Sequence, residues 1–361
     1  MKNLYIRAGM APFENLDPYH VLLHNSISGN SGNLLYAYGL CRAIMTENTN
    51  IEVDHYTTSS SDMPDINKKY DAWIIPLADA FRNNFMEVME KLTKCIRKSR
   101  IPVILVGVGL RAPLEADLSA SFPFDDHVKK FVSAILDKSA VIGVRGETTG
   151  RYLTKLGFRE GSHYKVIGCP SMYGFGDTLK IREPQINKDS LISLNSSIFS
   201  EQKTIDFVER VRQQFPNHYF VPQHRRELAE YHGFSCVYQK DINENTCLED
   251  LIGKVDFHSV EKKQKRNFDN YISFLEANGL DHIYKSGIPK ESPLDKRVKE
   301  IDHYPAVTPI SACSLEEMTE RWNTYFPAAR RYGENLQKEY KQAYKYSMER
   351  FKRFYKSKLK R

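Results

Sequence analysis

The sequence predicts an α/β protein of two lobes followed by a long helical tail, and three observations carry that prediction. Strand-length apolar runs alternate with helix-length segments through the first half. A Gly-, Pro- and charge-rich stretch then interrupts the pattern, and a second, sparser set of elements follows. The last residues carry one aromatic stripe at helical spacing. A chain of 361 residues is long enough for two cores at about 150 residues each.

In order, the strand-length runs are "YHVLLHNSI", "YDAWIIPLA", "IPVILVGVG", "SAVIGVRG" and "YKVIGCPS". Between them lie the helical patterns "LLYAYGLCRAIM", "FMEVMEKLTKCIRK", "VKKFVSAILDK" and "TTGRYLTKLG". Runs that are β-branched and apolar on both faces suit a parallel sheet covered by helices on each side. The first lobe is therefore a Rossmann-like α/β unit over residues 1–180. "GFGDTLKIREPQINKDS" loses the apolar period and reads as a linker. A second α/β lobe, expected over 188–312, opens with the strand "SLISLNSS", the helix "TIDFVERVRQQF" and the strand "HYFVPQ". Only "FSCVYQ" is a further clear strand, so this lobe looks reduced. "KRNFDNYISFLEANGL" reads as a helix that Gly279 ends, because glycine takes the left-handed conformation at a C-terminal cap without penalty.

The tail, 313–361, places Tyr332, Leu336, Tyr340, Tyr344, Met348, Phe351, Tyr355 and Leu359 three or four residues apart, one stripe of a long helix. Its other faces are basic. Residues 330–361 hold twelve Lys or Arg against three Glu, so a net charge of +7 for the whole chain leaves the remainder at −2. That distribution argues against a nucleic-acid-binding fold, whose basic patch would lie on the globular part. Two readings of the tail stay open: a helix packed by its stripe on the protein, or one lying on an anionic membrane surface. No apolar run approaches the about eighteen residues needed to span a bilayer. "MKNLYIRAGM" lacks the apolar core of a signal peptide, and the six cysteines show no metal-binding spacing. A cytoplasmic address with reduced thiols and no metal is the expectation.

In an open parallel sheet, ligands bind beyond the carboxyl ends of the strands. Each of the five strand runs is followed at once by a polar loop: "HNSISGNSGN", "PLADAFR", "GVGLRAP", "GVRGETTG" and "GCPSMYG". Together these loops make a site. Arg82, Arg111 and Arg145 stand within a residue or two of strand ends, and arginine grips carboxylate or phosphate in a bidentate manner. An acidic, phosphorylated ligand follows, although each single arginine is equally compatible with a salt bridge between loops. The P-loop and dinucleotide spacings are both absent.

The segments "NSGNLLYAYGL", "IIPLADAFR", "IPVILVGVGLR", "SAVIGVRGETTGRYLTKLG" and "VIGCPSMYG" resemble, in this order, the polysaccharide pyruvyl transferase family over about residues 5 to 175. The resemblance implies a GT-B-like pair of Rossmann-like lobes facing a cleft. It also implies transfer of pyruvate from phosphoenolpyruvate onto a sugar of a surface-polysaccharide repeat unit, usually as a cyclic ketal. Carried onto this chain, it assigns Arg145, with Gly146 and Arg111, to the donor's phosphate or carboxylate. Asn30, Ser31, Gly32 and Asn33 would hold sugar hydroxyls or the donor, with Arg82, Gly109 and Ser171 in the neighbouring loops. Asp79 and Glu147 are the nearest acid or base candidates, and His24 is a weaker one.

The family's second lobe usually supplies a further His- and Arg-bearing segment for the donor. Here "HYFVPQ" runs directly into "HRRELAEYHGF", so that block is missing; His224 and Arg225 either stand in for it or begin a helix. The implied partners are phosphoenolpyruvate, as donor substrate and not as cofactor, and a sugar or lipid-linked oligosaccharide acceptor. A place at the inner face of the membrane follows if the tail docks there. A non-catalytic binding or scaffold member of the same family, or a GT-B-like glycosyltransferase using a nucleotide-sugar, are the alternatives.

Overall fold

Strand β1 (Lys2–Ile6) lies between β2 (Thr49–Val53) and β3 (Ala72–Pro76), and β4 (Val103–Val106) follows β3, in the parallel order β2-β1-β3-β4. The computed structural model describes residues 1–14, 16, 26–112, 116–177, 185–194, 210–211, 213–220, 257–284 and 293–294. Strands β5 (Ile142–Val144) and β6 (Tyr164–Val166) form a second parallel pair. A parallel bridge between Val108 and Val144 joins this pair to β4, carried by the Val108 amide on the Gly143 carbonyl and the Arg145 amide on the Val108 carbonyl.

The chain dictates which strands lie inside. β3 and β4 are buried at every position, as "AWIIP" and "VILV" require, because a central parallel strand is covered on both faces. Alternate residues feed opposite cores. Trp73, Ile75, Val103 and Leu105 join one cluster, whereas Ile74, Ile104 and Val106 join the other. On the first face lie α2 (Met63–Lys69), α3 (Met86–Lys98), α4 (Asp125–Leu136) and α5 (Glu147–Lys155). Met89, Leu92 and Ile96 recur at helical spacing along α3, and Val128, Phe131, Val132 and Ile135 along α4. Each large apolar side chain buried in this way contributes roughly 1.5–3 kcal/mol before entropy is counted.

The second face takes α1 (Gly32–Ile44) and α6 (Phe257–Ala277). Phe268, Tyr271, Phe274 and Leu275 of α6 pack with Leu40, Cys41 and Ile44 of α1 and with Ile6 and Ile167. The Asn270 side chain donates to the Val166 carbonyl at the end of β6, and the Asn278 side chain to the Val141 carbonyl before β5. Helix α6 thus runs antiparallel to the strands, with its first turns at their carboxyl edge. Its end is the one expected: Gly279 has φ +67°, its amide reaches the Glu276 carbonyl, and the Leu280 amide reaches the Leu275 carbonyl.

Several expectations are corrected or relocated. Neither β1 nor β2 is among the runs read as strands. β2 alternates buried and exposed positions in "TNIEV", as a sheet edge does, and therefore shows no continuous apolar run. The strand expected over 19–27 falls mostly outside the described residues, and Ser26 and Ile27 at its end form a turn. Helix α2 was likewise not anticipated; it is a short element with proline in its first turn. The strands read in "SLISLNSS" and "HYFVPQ" do form, as β7 (Ile192–Leu194) and β8 (His218–Phe220), paired parallel. "FSCVYQ", most of "TIDFVERVRQQF" and the tail over 313–361 lie outside the described residues.

Candidate functional site at the strand ends

The chain order β2-β1-β3 reverses direction at β1, a switch point of the kind at which open parallel sheets take ligands along the carboxyl edge of the strands. The loops along that edge are bound to one another. Phe81 forms a parallel bridge with Leu110, its amide donating to the Gly109 carbonyl. The Gly109 amide donates to Ala78 and the Arg111 amide to Phe81. From the β4 loop the Leu110 amide donates to Thr149 Oγ1 at 3.0 Å, tying it to the start of α5. Gly109 fits because a Cβ there would stand 3.2 Å from the Ala78 carbonyl oxygen. The loop after β6 is fixed from below, where Gly39 of α1 lies so near Pro170 that a Cβ would stand 2.3 Å from its carbonyl oxygen.

The asparagine-rich loop reaches the same edge by a different route from the one expected. In space it follows β1: Gly9, just beyond that strand, packs against the Ser26 carbonyl at the turn before α1. Asn30 Oδ1 accepts from the Gly32 amide at 2.6 Å, and Asn33 Nδ2 donates to the carbonyls of Ile27 and Ser28 at 3.0 and 3.3 Å. Ser31 is the residue before the helix, and its carbonyl accepts from the Leu34 and Leu35 amides. The polar crowding therefore builds the turn that starts α1.

Of the three arginines expected within a residue or two of strand ends, only Arg145 is so placed, directly after Val144. Arg82 stands six residues beyond Pro76 and Arg111 five beyond Val106, because the loops after β3 and β4 pair with each other before the arginines are reached. The three have two different environments. Arg82 pairs with the Asp79 carboxylate, donates to the Asp79 carbonyl at 2.8 Å and to Asn84 Oδ1 at 2.7 Å, and lies over the Phe85 ring. Arg111 reaches the other oxygen of Asp79 at 3.6 Å. Arg145 has no carboxylate partner among the described residues. Its guanidinium lies 5.4 Å from the centre of the Tyr36 ring, and its Nε is buried without a hydrogen-bond partner. Gly146, next in the chain, precedes α5, and a Cβ there would meet nothing within 4 Å. Open space thus adjoins a helix N-terminus, whose first amides and positive dipole end favour an anion.

Tyr36 was not singled out from the sequence, where it is one aromatic residue in an apolar helix. Its hydroxyl donates to the Val106 carbonyl at 2.7 Å, and complete burial pushes its pKa far above the usual phenol range. Gly107 makes room for it: a Cβ there would stand 1.8 Å from the Tyr36 oxygen, at φ +65°. Thr149 and Arg266 were also missed. Arg266, on α6, pairs with Glu147 and holds that carboxyl below its usual range. Nothing in a charge run 119 residues away identifies such a partner. Asp54 was hidden because β2 was; its buried carboxylate accepts from the Ala8 and Tyr56 amides and from Thr58, fixing the turns after β1 and β2. Burial raises its pKa against the pull of Arg7.

Ser171 Oγ lies 2.9 Å from Cys169 Sγ in the 3-10 turn after β6. His24, His224 and Arg225 lie outside the described residues. Loops after β3, β4, β5 and β6 and the start of α1 share one edge, yet their arginines divide into a paired set and Arg145. A family profile described as polysaccharide pyruvyl transferase matches residues 30–242. No curated protein and no solved structure matches the chain.

Proposed function

Because this chain belongs to the polysaccharide pyruvyl transferase family, a family of transferases of polysaccharide biosynthesis, we propose that it moves pyruvate from phosphoenolpyruvate onto a sugar of a surface-polysaccharide repeat unit, as a ketal. The observation that carries this reading is Arg145. A guanidinium with a buried, unpartnered Nε, set on an aromatic ring beside the open N-terminus of α5, suits a small ligand bearing both a phosphate and a carboxylate.

In the proposed reaction the enol methylene of the donor takes a proton and a sugar hydroxyl attacks the resulting cationic carbon. The hydroxyl proton departs, inorganic phosphate leaves, and a second hydroxyl closes the ketal with loss of its own proton. Donors fixed at the phosphate stabilise it as it leaves, which is the role proposed for Arg145 and the amides after Gly146. Asp79 and Glu147 are each engaged by arginine, which supports charge balance for both in place of the acid and base roles proposed from sequence. The acceptor we propose is lipid-linked, approached from the inner face of the membrane. The twelve Lys or Arg of residues 330–361 support that setting. Among the described residues no helix is long and apolar enough to cross a membrane.

Millimolar phosphoenolpyruvate should raise the melting temperature of the protein, and Arg145→Ala should abolish the rise while leaving the ligand-free transition nearly in place. A loss of one charge-assisted contact of about 3 kcal/mol corresponds to roughly a hundredfold in affinity. Protection by nucleoside diphosphates in place of phosphoenolpyruvate would turn the reading toward nucleotide-sugar chemistry. Donor binding without phosphate release on any polysaccharide-derived acceptor would turn it toward a binding protein.

A further inference from the structure

Helix α6 comes from far along the chain, yet three of its polar side chains meet the segments that border the proposed donor site. Gln264 Nε2 donates to the Met172 carbonyl at 3.3 Å, in the loop after β6. Asn270 Nδ2 donates to the Val166 carbonyl at 2.8 Å, at the end of β6. Arg266 Nη2 holds Glu147 Oε1. The first two contacts fix the helix on the sheet. The third acts on the first residue of α5, next to Gly146 and two residues from Arg145.

That placement creates an electrostatic conflict which Arg266 resolves. A carboxylate in the first turn of a helix is drawn to the same amides and the same positive dipole end that would take the donor. Left unpaired, Glu147 would compete for those donors and would repel a ligand carrying a carboxylate and a phosphate. Arg266 occupies one of its oxygens and cancels its charge, and Lys263 and Arg151 add positive charge around it. A pair about half exposed on both sides adds little to folding, so its value has to be sought in what it does to the neighbouring anion site.

We infer that Arg266 is a positioning residue for the donor: by pairing with Glu147 it keeps that carboxylate from opposing an anionic ligand at Gly146 and Arg145. The inference rests on the reading of this helix end as the donor site. It makes Glu147 the cause of the defect that follows when Arg266 is lost.

The test measures phosphoenolpyruvate affinity calorimetrically on the full-length chain as wild type, Arg266→Ala, Arg266→Lys, Glu147→Gln, Arg145→Ala and the Arg266→Ala/Glu147→Gln double variant. Arg266→Ala should weaken the donor about tenfold at low salt, and the defect should shrink at high ionic strength. Arg266→Lys should recover most of the affinity. The double variant should bind within about twofold of Glu147→Gln alone, because removing the carboxylate charge removes the need for its partner. With acceptor turnover as the readout, Arg266→Ala should raise the donor KM with little change in kcat, the mark of lost binding and not of lost chemistry.

A double variant as weak as Arg266→Ala would overturn the inference, since Arg266 would then act on the donor or the fold directly. Wild-type affinity in Arg266→Ala would overturn it too. If the donor binds and depends on Arg145 but is indifferent to Arg266, this inference falls alone. If wild type does not bind phosphoenolpyruvate, or binds it equally without Arg145, the donor-site reading falls with it.

Discussion

The loop after β3 and the loop after β5 each carry an arginine read from the sequence as a strand-end residue, yet Arg82 stands six residues beyond Pro76 and Arg145 directly after Val144, and the two reach opposite states. Asp79 stands between Arg82 of its own loop and Arg111 of the loop after β4, so a carboxylate engages both guanidiniums. Arg145 rests on an aromatic ring and keeps a buried nitrogen, Nε, without a partner among the described residues. The lesson is that a neighbouring carboxylate matters only if it is free to reach the arginine: Asp79 turns to Arg82, whereas Glu147, two residues from Arg145, is held by Arg266. Stabilising an anion requires donors left unsatisfied by the protein itself, and an unsatisfied buried donor costs about 1–3 kcal/mol until its ligand arrives. The β3 loop is thus tied within itself and to the β4 loop, whereas the β5 loop keeps a buried donor unpaired among the described residues.

The largest effect expected from an attack on this comparison lies at Gly107, which holds up the platform under Arg145. Alanine there would be forced into the left-handed region at φ +65° and would place its Cβ 1.8 Å from the Tyr36 oxygen. Strain and overpacking together should remove about 3 kcal/mol of stability, read as a drop in the midpoint of chemical denaturation. The donor-induced rise in melting temperature should vanish as well, because Tyr36 must move and Arg145 moves with it. A stable Gly107→Ala protein that still responds to phosphoenolpyruvate would mean that the ring does not position Arg145.

How much of this was legible beforehand follows from the ranges over which the forces act. β3, β4, β5, β6 and their intervening helices announce themselves locally, because burial on both faces needs an unbroken apolar run and amphipathic helices repeat within a few turns. β1 and β2 escaped because polar residues interrupt short strands whose pairing is set by a neighbour. The Gly279 cap was readable from a few adjacent residues. The division among the arginines was only half readable: Asp79 lies three residues before Arg82, but its second bond is to Arg111 on another loop. Tyr36 under Arg145 and Arg266 on Glu147 join residues more than a hundred positions apart, and no local pattern encodes such a meeting.

An intermediate effect is expected from Tyr36→Phe, which separates the two functions of that residue. The hydroxyl donates to the Val106 carbonyl in a fully buried setting, and its loss leaves that carbonyl without this partner, at about 1.5 kcal/mol. The ring remains, so the surface on which Arg145 lies is kept. The denaturation midpoint should fall while phosphoenolpyruvate affinity changes less than about threefold. A collapse of affinity out of proportion to stability would show that the hydroxyl, and not the ring, sets the arginine.

The smallest effect should come from Arg82→Ala, and it is the most discriminating because the sequence places Arg82 and Arg145 on equal terms. Removing Arg82 deletes its bonds to Asp79 and Asn84 but leaves Arg111 to neutralise the carboxylate. Pairs of this exposure are worth at most about 1 kcal/mol, so the melting transition should barely shift. The response to phosphoenolpyruvate should persist in full, in contrast to its loss in Arg145→Ala. Were the two variants to lose the response equally, Asp79 would have to release Arg82 when the donor binds, and the paired loop would be a second half of the same anion site, opened by the ligand.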